Sequence, residues 1–558
     1  MLSRWMCIVT LILLCVQILL AGAMLAPTLG ALHPAWLVQD RLVFWIYEAA
    51  NRRWPFGRQR RVRRRRPKGP KPNPPASPGA NEEPTDPLEQ LAEMALDPQT
   101  VDRWAGEELT TYYANYRPVL RRREQREWTE LYLQGLLSDI PNNKSIESMI
   151  LALIGADPNA IRNMQHCIGA GAWTGTPLLI RHWPAVDRVL GEPEGVHILD
   201  SSEFLKQGQD SVGVKRQRCG EVGKIANCQS GVFLGYASRK GYTLLDRRLY
   251  LPEEWMKDEA YAERRKKCGV PEDIEFKTKP QQGWEMLKAV HATGTLRARW
   301  LACDEAFGRD TAFLDKVAGL GLWYFAEVPH NTRAWKKRPL TAVPQWSGKG
   351  RKPTQERLAE GEPDAQDVVT LAAAVSADRW SRQTIKEGTK GPIVADFAAL
   401  RVVAVRDSLP GPEVWLVLRR NVESGELKTY LSNAPADTPL ETLVRLSGMR
   451  WPIETCFEEG KQYLGLGDYQ VRSWRGWHHH MTLCILAHFF LIQLKLRLKP
   501  NRVAWTLPQV RFLLAAAFLT RQLDTQWRLE VIRYRQERNH AAYLSYRKRR
   551  LALLNQLE

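Results

Sequence analysis

Paired cysteines are what this chain most plainly lacks. Nine cysteines are spread over 558 residues, and no two form a Cys-x₂-Cys pair. That excludes common zinc ribbons and a disulfide scaffold, and argues for reduced thiols. A phosphate loop is absent too. Gly220-x₂-Gly223-Lys224 is too short for one, and no Ser or Thr follows the lysine, so no nucleotide cofactor is indicated. No convincing internal repeat is found. Acid is scarce at both ends: residues 1–80 hold 13 basic and 2 acidic side chains, and residues 491–558 hold 14 and 4. The whole chain carries +19, so the segment between is near neutral. Basic ends on a neutral body suit a polyanionic partner, nucleic acid or an anionic membrane. Basic arms that only aid solubility are the plainer alternative. A hydrophobic share of 44% excludes overall disorder, and the length suits about two or three domains.

Trp5 to Leu32 contains no charged residue. About 20 apolar residues suffice to span a bilayer as a helix. Arg4 alone precedes the segment, and the arginines follow it, which would leave the bulk of the chain in the cytoplasm. A signal peptide cleaved near Ala21-Gly22-Ala23 is a second reading. An upstream start that adds untypical residues to a soluble protein is a third. Next come seven arginines between Arg58 and Arg66 and eight prolines between Pro67 and Pro87. Such sequence is extended and builds no core, so it reads as a linker. Its arginines suit DNA phosphates, lipid head groups or plain solvent.

From about Leu88 to Trp183 the pattern is helical, with Ser145 as an N-cap. Short helices with scattered arginines fit a DNA-binding module or a packing cap on the next domain. At Val196 the period changes. VHILDSS reads as a strand, GVFLGYASRKGYTLLDRRLYLP as two more, PQQGWEMLKAVHATG as a helix and TLRARWLACDEAFG as a strand. Strand, strand, strand, helix, strand is the start of an RNase H-like sheet. IVADFAALRVVAVRD, EVWLVLRRN and LKTYLSNAP read as the strands of an insertion, and helices return from Pro439.

Three acids stand out. Asp200 and Asp304 each end an apolar strand, and Glu454 begins a helix beyond the insertion. Carboxylate oxygens suit Mg²⁺, and two such ions ~3.5–4 Å apart serve phosphodiester chemistry. Each acid alone reads equally as a turn or cap residue. On the helix MRWPIETCFEEGKQYLGLGDY, Pro452 fits the first position and Gly465 the stop. At helical phasing Lys461 lies about 20° from Glu454 and Glu458 about 40°, with Arg450 near the same face. A metal-binding acid beside cations that hold a DNA backbone is one meaning of this pattern. An ion-pair network on a solvated helix is the other.

Arg450-x₃-Glu454-x₆-Lys461 resembles the Tyr-x₂-Arg-x₃-Glu-x₆-Lys signature of cut-and-paste insertion-sequence transposases with a DDE triad. Asp200 and Asp304 fall where that family places its aspartates, and the strand insertion before Glu454 matches. NKSIESM at 143–149, NMQHC at 163–167 and the stretch 211–238 resemble one bacterial branch, so the likeness spans roughly 100–540. The resemblance implies an α/β protein whose RNase H-like core, a mixed sheet with flanking helices, is interrupted by a mainly β insertion between helical N- and C-terminal regions. It implies two Mg²⁺ ions, with Mn²⁺ substituting, held by Asp200, Asp304 and Glu454. It implies terminal inverted repeats and target DNA as partners, cleavage at element ends, joining to target, and a dimer on DNA in the cytoplasm, at the nucleoid. The signature's Tyr position holds Ser447, and Ser201-Ser202-Glu203 follow Asp200 where relatives often carry Asp-Thr-Gly. Those departures, with the unusual N-terminus, keep a second reading open: a decayed or repurposed transposase that binds DNA without cutting, with or without a membrane tether through residues 5–32. A metal-dependent nuclease without strand transfer is a third.

The expected organisation is an apolar extension (1–57), a basic Pro-rich linker (58–87), a helical DNA-binding region (88–190), a first core segment (191–335), a β-rich insertion (336–438), a second core segment (439–490) and a basic helical C-terminal region (491–558). Arg450 and Lys461 are expected to position DNA phosphates. In YQVRSWRGWHHH, Trp474 and Trp477 suit stacking on an unpaired base, and Arg472 and Arg475 suit phosphates. Simple helix packing explains the two tryptophans equally. Lys215, Arg218 and Lys224 suit a phosphate-contacting loop or a solvated hairpin. Cys303 and Cys456 are expected to be buried and inert.

Overall fold

A computed structural model describes residues 107–140, 143–346, 348, 351–388, 391–498, 506–518 and some of 533–549. The chain divides into two units, Met1–Glu83 and Pro84–Glu558, and all described residues belong to the second. The extension 1–57, its apolar segment 5–32, the linker 58–87 and much of the C-terminal region lie outside them.

After a helical stretch at 107–114 come four helices: α1 (Arg123–Leu137), α2 (Ile146–Leu153), α3 (Pro158–Gly169) and α4 (Thr176–Leu190). Ser145 caps α2 by accepting from the Ser148 N–H, as its position predicts. These helices pack on a long helix from the other end of the region, Trp474–Leu498 (α9 below). The Tyr132 hydroxyl meets His480 Nδ1 at 2.7 Å, and the His479 ring stacks on Trp173 at 3.6 Å. Trp474–Leu498 is apolar and long enough to cross a membrane, yet 78% of its apolar window is buried inside the protein. A helix apolar all round is what a core position demands.

The strands follow. They are β1 (Val196–Leu205), β2 (Lys215–Cys219), β3 (Lys224–Ala237) and β4 (Tyr242–Tyr250). Helix α5 (Lys279–Ala292), β5 (Trp300–Cys303), a one-turn helix Glu305–Gly308, α6 (Thr311–Gly319) and β6 (Trp323–Val328) come next. After short strands β7 (Arg333–Trp335), β8 (Thr341–Ala342), β9 (Arg357–Leu358) and β10 (Gln366–Asp367) come β11 (Ser381–Gly388), β12 (Gly391–Arg406), β13 (Leu409–Asn421) and β14 (Leu427–Ser432). Helices α7 (Leu440–Ser447), α8 (Trp451–Tyr463) and α9 (Trp474–Leu498) close the core.

The architecture is mixed α/β. Twelve strands form one sheet along β10-β7-β12-β13-β14-β6-β5-β1-β3-β2, with β11 beside β12 and β4 beside β3. β1, β5 and β6 are parallel neighbours, while β3 runs antiparallel to both β1 and β4. Of the two readings of the stretch after Ser211, the hairpin is the one that forms: Lys215–Cys219 is a strand paired with β3, and its outward residues are charged, so it shows no apolar alternation. The strands of the insertion join the main sheet. β14 pairs antiparallel with β6, which would otherwise be an open edge.

Candidate active site

The site is built on strand register. Leu199 on β1 lies beside Cys303 on β5, and Cys303 lies beside Ala326 on β6. The next rung of these parallel strands is therefore Asp200, Asp304 and Glu327. Asp304 keeps an extended backbone (φ −80°, ψ 179°) and caps Glu305–Gly308, its Oδ1 accepting from the Ala306 N–H at 3.0 Å. Gly308 lets that turn press on β6, since a Cβ there would sit 2.0 Å from the Glu327 carbonyl oxygen.

Helix α8 arrives over this rung. Pro452 suits its first turn, and Gly465 (φ +66°) ends it, the Leu466 N–H bonding back to the Gly460 carbonyl at 2.9 Å. At its N-cap, Arg450 reaches Asp200 Oδ2 at 2.9 Å, Glu454 Oε1 at 2.6 Å and Glu327 Oε2 at 3.8 Å. One guanidinium thus joins the strand acids to the helix acid.

Charge explains the pKa pattern. Burial, then the neighbouring Asp304 charge, push Asp200 up to about 7, against the pull of Arg450. Asp304 is raised by burial, with Arg450 and two helix N–H groups opposing. Burial alone would lower Arg450, but the surrounding carboxylates outweigh it and its pKa rises. Four carboxylates around one cation leave a surplus of negative charge. Among the described residues no three His, Cys, Asp or Glu side chains converge as a metal would require, because Arg450 stands between them. Oxygen donors, a charge surplus and an acid held back from ionising all fit a hard divalent cation.

A pH dependence follows. The folded protein keeps a proton on Asp200 that the unfolded chain has already lost, so metal-free stability falls as pH rises from the ordinary carboxylate range through about 7. Asp200→Asn is expected to flatten that slope and raise the metal-free midpoint at about pH 8 by ~1–3 °C. Thermal unfolding in a chelator reads this, and an unchanged slope would mean Asp200 titrates as an ordinary carboxylate.

The other predicted residues divide. Lys461 faces β1 rather than solvent, donating to the Glu203 carbonyl at 2.9 Å and pairing with Glu221 at 2.6 Å. It fastens α8 to the sheet. Lys215 pairs with Glu254, and Arg472 with Asp210 at 3.2 Å. Arg218, Lys224 and Arg475 are exposed. Trp474 is half-buried, but Trp477 is fully buried against Phe233 and Gly231. Base stacking by Trp477 is therefore corrected: three residues along α9, it has turned from the rim into the core. Trp477→Ala should cost about 3–5 kcal/mol, against about 1 for Trp474→Ala, in chemical denaturation. Equal losses would contradict that placement. Cys303 and Cys456 are buried, with thiols pushed well up by burial, and the Ser447 hydroxyl donates to the Val444 carbonyl at 2.7 Å.

Three residues escaped the sequence reading. Glu327 needed the parallel register to be seen beside the aspartates. Lys279, opening α5, donates to the Ser201 hydroxyl at 3.0 Å and lies 3.6 Å from Glu203. Lys386 on β11 sits 4.3 Å over the Trp451 ring, near Glu454.

A family model for the DDE superfamily endonucleases matches residues 115–392. That match, over just under half of the chain, is consistent with a DDE transposase. The matched span holds Asp200, Asp304 and Glu327, and ends before Arg450, Glu454 and Lys461. No curated protein matches the chain.

Proposed function

We propose that this chain is a DNA transposase that cleaves phosphodiester bonds at the ends of an insertion sequence and joins the freed ends to target DNA. The observation that carries the reading is the Asp200–Asp304 rung, met across Arg450 by Glu454. The order β4-β3-β1-β5-β6, antiparallel through β4–β3–β1 and parallel through β1–β5–β6, supports an RNase H-like core. Asp200, Asp304 and Glu454 would hold two Mg²⁺ ions, or Mn²⁺ in their place, and a divalent cation bound there activates the attacking oxygen and stabilises the leaving one. Arg450 keeps the three acids gathered while their charges would drive them apart. Lys461 sets the height of α8 over β1 and so of Glu454 over the rung. Arg218, Lys224 and Arg475 meet backbone phosphates, Trp474 offers a partly exposed ring, and Arg472 and Lys215 join on exchanging a carboxylate for a phosphate. The helical regions on either side of the core recognise the terminal inverted repeats, and two copies handle two ends, at the nucleoid.

The test is a sequencing gel of the full chain with Mg²⁺, DNA carrying the element's ends, and target DNA. Cuts at the ends and joined molecules are expected. Cuts without joining would leave a nuclease, and a folded, DNA-binding chain that yields neither would sink the reading.

A further inference from the structure

The insertion carries a small core of its own. Trp335, Ala365 and Val403 form a buried cluster apart from the main one, with Leu358 and Val405 packed against it. It seats the hairpin β8–β9, which among the described residues is a two-stranded sheet by itself. Hydrogen bonds fix the base of this finger. Trp335 Nε1 donates to the Pro363 carbonyl at 2.9 Å, Arg338 Nη2 to the Gly411 carbonyl at 2.7 Å, and the Ala359 N–H to the Leu340 carbonyl at 3.0 Å. The base is set in direction, while most of the described side chains between Lys336 and Arg357 are exposed.

The charge of the finger is one-sided. Between Arg333 and Leu358 the sequence holds eight basic side chains and one acid, Glu356, which accepts from the Thr341 hydroxyl at 3.0 Å. Two of the cations serve the fold: Arg333 donates to the Ala365 carbonyl at 2.7 Å, and Arg338 reaches β13. The side chains of Lys336, Lys337, Arg351, Lys352 and Arg357 are exposed, and none has an ion pair or hydrogen bond among the described residues. Acids are close at hand, since Glu360, Glu362 and Asp364 follow β9, yet none pairs with these cations. Other cations of the insertion do find partners, Arg382 with Asp396 at 2.9 Å and Lys428 with Glu327 at 2.9 Å. A single exposed lysine is ordinary. Five unpaired cations on one braced arm make a positive field that a polyanion offsets.

We propose that the β8–β9 finger binds the backbone phosphates of duplex DNA through these five cations, outside the reacting site. Charge complementarity selects this partner. Leu340 and Val343 are 70% and 49% exposed and would suit a protein face, but a second copy of a chain of +19 meets the finger with like charge. Position suits DNA as well. β7 lies four strands from β6, which carries Glu327 of the acid rung, so the base of the finger is about 19 Å away along the sheet. That is about six base pairs of B-DNA. A duplex held at the acids therefore brings its flanking sequence to the finger. Phosphates are the same on every sequence, so the contact adds affinity without choosing the site. The choice of DNA as partner rests on the transposase reading, but the finger shares no residue with the acid site.

Salt dependence of binding tests this. The full chain is titrated in a chelator onto a labelled duplex of about 30 base pairs that lacks the element's ends, and anisotropy is read from about 50 to 250 mM KCl. Each phosphate contact contributes about 0.9 to the slope of log affinity against log salt. The combined variant Arg351→Gln, Lys352→Gln, Arg357→Gln should lower that slope by about 2–3 and weaken binding at about 150 mM by about tenfold or more. A second variant, Lys257→Gln, Lys288→Gln, Lys316→Gln, removes equal charge from exposed positions on other elements and should change the slope by less than about 1. Every substituted side chain is exposed, so circular dichroism of both should match wild type. An unchanged slope in the finger variant overturns the proposal. So do equal losses in the two variants, or a wild-type chain that does not bind the duplex. A finger variant that binds DNA as wild type does but sediments as a smaller species would assign the surface to a second copy instead. No metal is present and no cleavage is read, so failure here is distinct from failure of the active-site reading.

Discussion

Asp304→Asn is expected to lower Mg²⁺-dependent cleavage at the element ends by about 10³-fold or more, with folding and DNA binding kept. The substitution separates two roles of one side chain. Asp304 Oδ1 caps the helix Glu305–Gly308 by accepting from the Ala306 N–H, and asparagine is as good an N-cap. What asparagine removes is the charge on the rung beside Asp200. Far-ultraviolet circular dichroism and a DNA-binding titration should match wild type while the gel shows no cuts. A variant that cuts within about tenfold of wild type would exclude Asp304 from the reacting centre.

Arg450→Met is expected to destabilise the metal-free protein by about 2–4 kcal/mol. Removing one partner from a buried ion cluster leaves the others uncompensated. Here that would leave Asp200, Glu454 and Glu327 facing one another with Asp304 close by. The figure lies at the low end of buried clusters because the Arg450 and Glu454 side chains are 24% and 45% exposed. Saturating Mg²⁺ should recover most of the loss, and should stabilise this variant more than it does wild type. Arg450→Lys should fall between, since an ammonium cannot reach three carboxylates in a planar fork. Equal stability of wild type and Arg450→Met in a chelator would show that the guanidinium does not hold the acids.

Arg450 also shows how far sequence carries. Its spacing to Glu454 places both on one turn, and the contact between them is local. Its bonds to Asp200 and Glu327 span the fold, and no local spacing encodes them. Glu327 stands one residue from the end of its strand, as any half-buried strand acid does. Lys461 shares the helix face its phasing predicts, yet that face turns to β1, where Glu221 takes the charge expected for DNA.

By itself, the amino-acid sequence determined the local pieces: the apolar runs that lead into Asp200 and Asp304, the Ser145 cap, and the helix with Pro452 in its first turn and its stop at Gly465; it missed that β1 runs on past Asp200 to Leu205. Cap chemistry, proline and glycine backbone preferences and apolar periodicity act over a few residues, so they are visible in a string. Tertiary structure alone decided that the insertion continues the sheet through β14 and β6, and that Trp477 is core while Trp474 is rim. Those outcomes depend on which elements meet and in what register, and a shift of one residue would reverse each side chain's face.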